Sequence, residues 1–145
     1  MPPLTPRVLI IDDDPNCSEL IELMLQHSGT EYETARAQTP EEGLRLASTQ
    51  HFDLYLLDNR LPGMSGTEVC RTIRRMDAHT PVMFFTGAAY ERERREAMQA
   101  GANAYLLKPD DLQRLTETVK SLISESKSAA IRGVPLTAYL PGASM

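Results

Sequence analysis

Residues 53–66 read DLYLLDNRLPGMSG. The four apolar residues Leu54–Leu57 form an unbroken run, and the turn signals Pro62 and Gly63 come soon after it. Such a run suits a strand covered on both faces, as in a parallel sheet. It ends on Asp58, and a carboxylate there must either reach water or be needed for chemistry. Residues 8–14, VLIIDDD, repeat the arrangement with three acids instead of one. Two buried strands that end on acids point to a site on one edge of a sheet.

On either side of this stretch, strand-like runs alternate with segments of helical period. VLII (8–11) precedes Cys17, Leu20, Ile21, Met24 and Leu25, which share one helical face, with Pro15 in the first turn and Gly29 as the stop. A more polar strand, YETARA (32–37), precedes a helix opened by Thr39 and Pro40 with Glu42 in capping-box position. LYLL (54–57) leads through LPGMSG to a helix carrying Val69, Cys70, Ile73 and Met76. VMFF (82–85) leads to the charged helix YERERREAMQA, closed by Gly101, and AYLL (104–107) leads to a helix with Leu112, Leu115, Val119, Leu122 and Ile123 on one face. Five strand–helix units without a repeat predict an α/β domain, a five-stranded parallel sheet with helices on both faces. Right-handed crossovers bring the C-terminal ends of all strands to one edge, where open α/β sheets bind ligands.

The residues just after each strand then define a candidate site. Strand 1 supplies Asp12, Asp13 and Asp14, strand 3 supplies Asp58, strand 4 supplies Thr86 and Gly87, and strand 5 supplies Lys108 before Pro109. If these strands are neighbours, a spacing of about 4.8 Å brings the carboxylates of strands 1 and 3 around one small cation. Lys108 would span a gap of about 10 Å to Asp58 with its long stem.

Composition limits what such a site can belong to. The chain has 145 residues, a size that buries roughly 70% of the unfolded surface in one domain. A net charge of −5 argues against bulk electrostatic binding of nucleic acid. No apolar stretch approaches the roughly 20 residues that span a bilayer, and MPPLTPR lacks a signal-peptide core, so the expected location is the cytoplasm without membrane insertion. Cys17 and Cys70 lie on different predicted helices without metal-ligand spacing and read as reduced, small core residues. His27, His51 and His79 are far apart and do not suggest a metal cluster.

VLIIDDDP, FDLYLLDNRLPGMSG, PVMFFTG and GANAYLLKP, in this order, resemble the signatures of the receiver domain of two-component response regulators. The resemblance covers residues 7–126, leaving 1–6 as an N-terminal extension and 127–145 as a tail or a linker cut short of an output domain. It implies a flavodoxin-like sheet of order 2-1-3-4-5. It further implies that Asp58 accepts a phosphoryl group from a histidine of a sensor histidine kinase or a histidine phosphotransfer protein. Asp12 and Asp13 match the acidic pair that binds Mg²⁺, and the backbone carbonyl of Arg60 matches the remaining protein ligand. Thr86, Gly87 and Lys108 match the phosphoryl-binding set, with Gly87 leaving room for Thr86 to shift. Tyr105 matches the aromatic switch residue that moves with Thr86 and remodels the helix 4–strand 5–helix 5 face, the face implied for partner docking and a possible homodimer.

The residue types suit this chemistry. Two like charges about 4 Å apart repel by on the order of 4 kcal/mol at an effective dielectric near 20, and a hard cation with oxygen ligands removes that repulsion. Phosphoryl transfer then asks for positioning and charge stabilisation. Plainer readings stand beside each residue: Asp14 as a helix cap, Thr86 as a loop hydroxyl, Lys108 as a solvated turn lysine, Tyr105 as half-buried packing. A domain that binds partners without phosphorylation is the alternative function. A phosphate-ester hydrolase with an Asp nucleophile would carry a second acid where this chain has Arg60, and a flavin-binding relative would carry a phosphate-cradling loop where it has Asp12–Asp14. Two departures remain. Arg60 places a long cation near the acceptor, where it is expected to alter phosphoryl lifetime, and Tyr55 is a bulky polar residue in mid-strand whose hydroxyl needs a partner.

Overall fold

The computed structural model describes residues 5–132. Five strands, β1 (Arg7–Ile11), β2 (Glu33–Ala37), β3 (Leu54–Leu57), β4 (Val82–Thr86) and β5 (Ala104–Leu107), alternate with helices α1 (Pro15–Gln26), α2 (Pro40–Thr49), α3 (Gly66–Met76), α4 (Glu91–Gln99) and α5 (Leu115–Arg132). The strands pair in parallel in the order β2-β1-β3-β4-β5, as the resemblance implied. Val8 pairs with Leu54, Tyr55 with Val82, and Thr86 with Leu107, so the strand ends that carry Asp12, Asp58, Thr86 and Lys108 share one edge.

Burial explains why β3 and β4 read as continuous apolar runs: every residue of both is buried. On one face Val8, Ile10, Leu54, Leu56, Met83 and Phe85 pack beneath α1 and α5; on the other Leu9, Ile11, Leu57, Val82 and Phe84 pack beneath α2, α3 and α4. Each fully buried aliphatic or aromatic side chain contributes about 1.5–3 kcal/mol of transfer free energy, so the two layers fix the alternation of faces. Asp14 caps α1 by accepting from the Asn16 amide at 2.9 Å, and Thr39 caps α2 by accepting from the Glu42 amide at 3.2 Å, both as the sequence suggested. Ser65 does the same for α3 at 3.2 Å.

The opposite edge of the sheet is tied by one half-buried cation. Arg74, near the end of α3, donates to the carbonyls of Gly101, Asp77 and Thr80 and to Oδ1 of Asn103, at 2.6–3.2 Å. Gly101 has φ +113°, and a Cβ there would meet the Arg74 side chain at 2.8 Å, so both the backbone twist and the close approach call for glycine. Tyr55 lies near this edge, with its ring 5.9 Å from Phe52 and on the wall of a cavity of about 460 Å³ also lined by His51, Met76 and His79. Burial pushes its hydroxyl up to about 12, and the charge of Asp77 acts in the same direction.

The structure differs from the sequence expectation in three places. Helix α5 continues to Arg132 instead of ending near residue 126, because KSAAIR (127–132) contains no breaker before Gly133. Leu112 sits in a 3₁₀ turn, Leu112–Arg114, that precedes α5, and Tyr32 lies just outside β2. The apolar residues Ile131, Val134, Leu136, Tyr139 and Leu140 also suggest from the sequence a tail that docks on a surface groove; residues 133–145, like residues 1–4 and the side chain of Ile131, lie outside the described residues. Among the described residues, no helix is long and apolar enough to cross a membrane.

Candidate functional site

The sheet edge collects the acids as its topology requires. One carboxylate oxygen from each of Asp12, Asp13 and Asp58 lies within 4.8 Å of the others. Asp12 and Asp58 are buried, whereas Asp13 is exposed and leaves the group open to solvent. The donors are all hard oxygens, the set that suits a divalent cation such as Mg²⁺. No histidine joins this group among the described residues.

Lys108 reaches the acids from β5. Its Nζ lies 2.8 Å from Oδ2 of Asp12 and 3.1 Å from Oδ2 of Asp58, so a single ammonium bridges two carboxylates. Burial alone would lower its pKa, but the hydrogen bond with Asp12 and the charges of Asp58 and Asp12 outweigh this and hold it well above the ordinary lysine range. The sequence places Lys108 in reach of Asp58 and, by resemblance, on phosphoryl oxygens, but gives it no contact with Asp12. The structure adds that it occupies the position between the acids, where it offsets the repulsion a cluster of like charges generates. The Lys108–Pro109 peptide is cis.

Thr86 closes the other side of Asp58. Its hydroxyl donates to Oδ1 of Asp58 at 2.6 Å and accepts from the amides of Asn59 and Ala88 at 3.3 and 3.2 Å. Thr86 is completely buried, which removes the loop-hydroxyl reading for this residue. Gly87 comes directly after it, and a Cβ at that position would meet nothing within 4 Å. The Arg60 amide donates to the same Oδ1 at 3.0 Å, so Asp58 is held from three elements. The Arg60 side chain turns away and pairs with Glu93 of α4 at 3.4 Å, with more than half of its surface exposed.

Tyr105 is half-buried, stacked on Phe84 with ring centroids 5.4 Å apart, and its hydroxyl donates to the Ala88 carbonyl at 2.7 Å. Burial raises this hydroxyl's pKa while the Asn59 side chain opposes the rise. The contact with Ala88 puts Tyr105 two residues from Thr86 in the chain and ties β5 to the β4–α4 connection. Cys17 borders the same site; burial and the charge of Asp12 push its thiol up to about 11, and burial does the same for Cys70, so both are thiols at neutral pH.

Sequence reasoning missed two contributors. Gly66 starts α3 against the acceptor loop: a Cβ there would overlap the Asp58 carbonyl oxygen and approach Cα of Asn59 to 2.8 Å. Asn59 is buried and accepts from the amide and hydroxyl of Thr67 at 2.9 and 3.1 Å. The only signal for either was the SG pair opening a helix eight residues after Asp58.

The family model of the response regulator receiver domain matches residues 8–120. The chain belongs to this family. It is 35% identical over 124 residues to the cell cycle transcriptional regulator CtrA of Caulobacter vibrioides, a match covering 86% of this chain and 53% of that protein. The receiver domain thus spans about half the length of the curated relatives it matches. Among solved structures it resembles the CheY-like receiver domain protein of Methanospirillum hungatei, with TM-score 0.80, 31% identity and coverage of 86% of this chain and 98% of that one. The response regulator TrrA of Thermotoga maritima, solved in complex with Mg²⁺-BeF, matches with TM-score 0.72, 35% identity and coverage of 81% and 99%. The receiver fold, its strand order and its place in two-component phosphorelay signalling rest on these matches. None of them supports the reading as a phosphorylation-independent module.

Proposed function

We propose that Asp58 is the phosphoacceptor of this receiver domain and that Asp12, Asp13 and the backbone carbonyl of Arg60 hold Mg²⁺ beside it. One observation carries the reading: the Asp58 carboxylate is shared between the Thr86 hydroxyl and the Lys108 ammonium, with two further acids in reach of a common cation. When bound, Mg²⁺ neutralises the crowded carboxylates and the incoming phosphoryl oxygens. An Asp58 oxygen forms the new bond to phosphorus while the phosphoramidate bond to the donor histidine breaks and the imidazole leaves. The product carries roughly 1.5–2 negative charges. Lys108, released from its bridge between Asp12 and Asp58, and the Thr86 hydroxyl, released from Asp58, bind its oxygens.

Thr86 gives up its hydrogen bond to Asp58 in that rearrangement, and the backbone around Gly87 and Ala88 moves with it. Because Tyr105 is anchored on the Ala88 carbonyl, its ring moves too, and the α4–β5–α5 face changes shape. That face bears a cavity of about 420 Å³ lined by Arg94, Met98, Tyr105, Leu107, Asp111 and Arg114, which suits a docking partner or a second copy of the domain. The domain is its own substrate and has no separate turnover substrate. Its donor is a sensor histidine kinase or a histidine phosphotransfer protein. We place it in the cytoplasm, consistent with its free thiols, and assign it no direct contact with nucleic acid.

Intact-mass spectrometry after incubation with acetyl phosphate tests the reading. A single phosphoryl adduct that requires Mg²⁺ and is absent from Asp58→Asn is expected. An adduct that persists in Asp58→Asn would refute the assignment.

A further inference from the structure

Asn59 stands between the acceptor and helix α3, and three of its polar groups are engaged. Its amide donates to the Thr86 hydroxyl at 3.3 Å, its carbonyl accepts from the Gly66 amide at 3.0 Å, and its side-chain oxygen accepts twice from Thr67. The residue is 7% exposed and Thr67 is 5% exposed, so these bonds are shielded from water. The first turn of a helix leaves amides without intrahelical partners. In α3 two of these orphans, on Gly66 and Thr67, are satisfied from the acceptor loop.

The side-chain type is informative. A carboxylate at position 59 would complement the positive end of α3 better than an amide does. It would also add a fourth negative charge beside Asp12, Asp13 and Asp58, whose oxygens already lie within 4.8 Å of one another. An aliphatic side chain would add no charge but would leave the Thr67 amide and hydroxyl buried without partners. An uncharged acceptor meets both demands.

We propose that Asn59 is a positioning residue for phosphoryl transfer: by fastening the peptide beside Asp58 to the first turn of α3 with an uncharged acceptor, it fixes the direction of the Asp58 carboxylate and of the residue 60 carbonyl. This rests on Asp58 being the acceptor and on the residue 60 carbonyl being a metal ligand. The Arg60 amide, in the same peptide as the Asn59 carbonyl, and the Thr86 hydroxyl, which accepts from the Asn59 amide, both bond to Oδ1 of Asp58, so a displacement of residue 59 shifts the acceptor oxygen and, through the adjoining residue 60, its carbonyl. Gly66 permits the approach, and Asn59 fastens it.

The test compares Asn59→Leu, Asn59→Asp, Thr67→Val and Thr67→Ser by three readouts: the rate of adduct formation from acetyl phosphate at saturating Mg²⁺, Mg²⁺ affinity by calorimetry, and unfolding in urea. Under conditions where the protein stays folded, Asn59→Leu is expected to slow adduct formation roughly tenfold, the cost of a small misplacement of a reacting group. Thr67→Val should lose less, and Thr67→Ser, which returns the hydroxyl donor, should recover that loss. Asn59→Asp should bind Mg²⁺ more tightly yet accept the phosphoryl group more slowly, since the anionic donor meets an added charge. Lower stability with a wild-type rate per folded molecule in both Asn59→Leu and Thr67→Val would reduce Asn59 to a structural residue and overturn the proposal. If Asn59→Leu does not fold, the Thr67 pair decides. If wild type forms no adduct at all, it is the acceptor assignment that fails; unchanged Mg²⁺ affinity across the Asn59 variants would then also reject its role toward residue 60.

Discussion

At the C-terminal edge of the sheet Lys108 stands between the carboxylates of Asp12 and Asp58; at the opposite edge Arg74 stands among the carbonyls of Asp77, Thr80 and Gly101 and the side-chain oxygen of Asn103. Both edges gather oxygens around a sheltered cation, but the partners differ in what they can exchange. Carbonyl oxygens are neutral and fixed by the backbone, so Arg74 satisfies them once and the loops around it are set. Carboxylates carry charge in excess of one ammonium, so the Lys108 edge retains an appetite for a further cation and for a phosphoryl group that rearranges it. The guanidinium's planar fork serves the first task, and the flexible point charge of lysine serves the second.

The contrast between the edges is strained most severely by a change at Arg74. Arg74→Ala strips donors from four sheltered oxygens, of which, among the described residues, only Asn103 Oδ1 keeps another, from the Val82 amide, and should destabilise the domain by about 3 kcal/mol in urea unfolding, with Arg74→Lys recovering little because it cannot reproduce the fork. Adduct formation per folded molecule should remain near wild type. A large loss of phosphorylation at full folding would show that the two edges are not separable.

Lys108→Ala probes the other side. Removing a positive charge beside the acids should raise Mg²⁺ affinity on the order of tenfold by calorimetry, since like charge no longer opposes the ion. Phosphorylation should then fail to transmit to Tyr105, read as unchanged Tyr105 ring resonances in NMR spectra with and without donor. Unaltered Mg²⁺ affinity would mean that Lys108 does not compete with the cation.

Arg60 gives the smallest effect. Its ion pair with Glu93 is largely exposed, and such pairs contribute about 0–1 kcal/mol. Arg60→Ala should change the rate of dephosphorylation by a few-fold at most, measured as loss of the adduct mass over time. Identical rates would remove any role for Arg60 at the phosphoryl group.

Much of this was legible in the sequence. Strands covered on both faces advertise themselves as apolar runs, so β3 and β4 begin where LYLL and VMFF place them, with Asp58 and Thr86 at the C-terminal ends of those runs, as Asp12 and Lys108 stand after VLII and AYLL. Contacts made by the chain after a turn were not legible. Arg74 lies in the string RTIRRM beside two other arginines, and nothing local separates the one that turns inward from those that face solvent. Asn59 reads as an ordinary turn residue until the β3–α3 loop folds back and brings Thr67 to it. The reach of Lys108 to Asp58 was legible, but its second contact, with Asp12, was hidden for a different reason: the chemistry expected of the phosphorylated state assigns the ammonium to phosphoryl oxygens, whereas both acids claim it first. Helix α5 outruns its expected end because Gly133, Pro135, Pro141 and Gly142 read as barring helix from the whole of 127–145, whereas the first of them stands only at 133 and leaves 127–132 free to continue the helix.

The most direct measurement locates the phosphoryl group itself. After reaction with acetyl phosphate and Mg²⁺, borohydride reduction converts an aspartyl phosphate to homoserine, and peptide mass spectrometry reads its position. Homoserine at position 58 alone is the expected result; homoserine at 12 or 13, or a reduction-resistant phosphate on another side chain, would contradict the account.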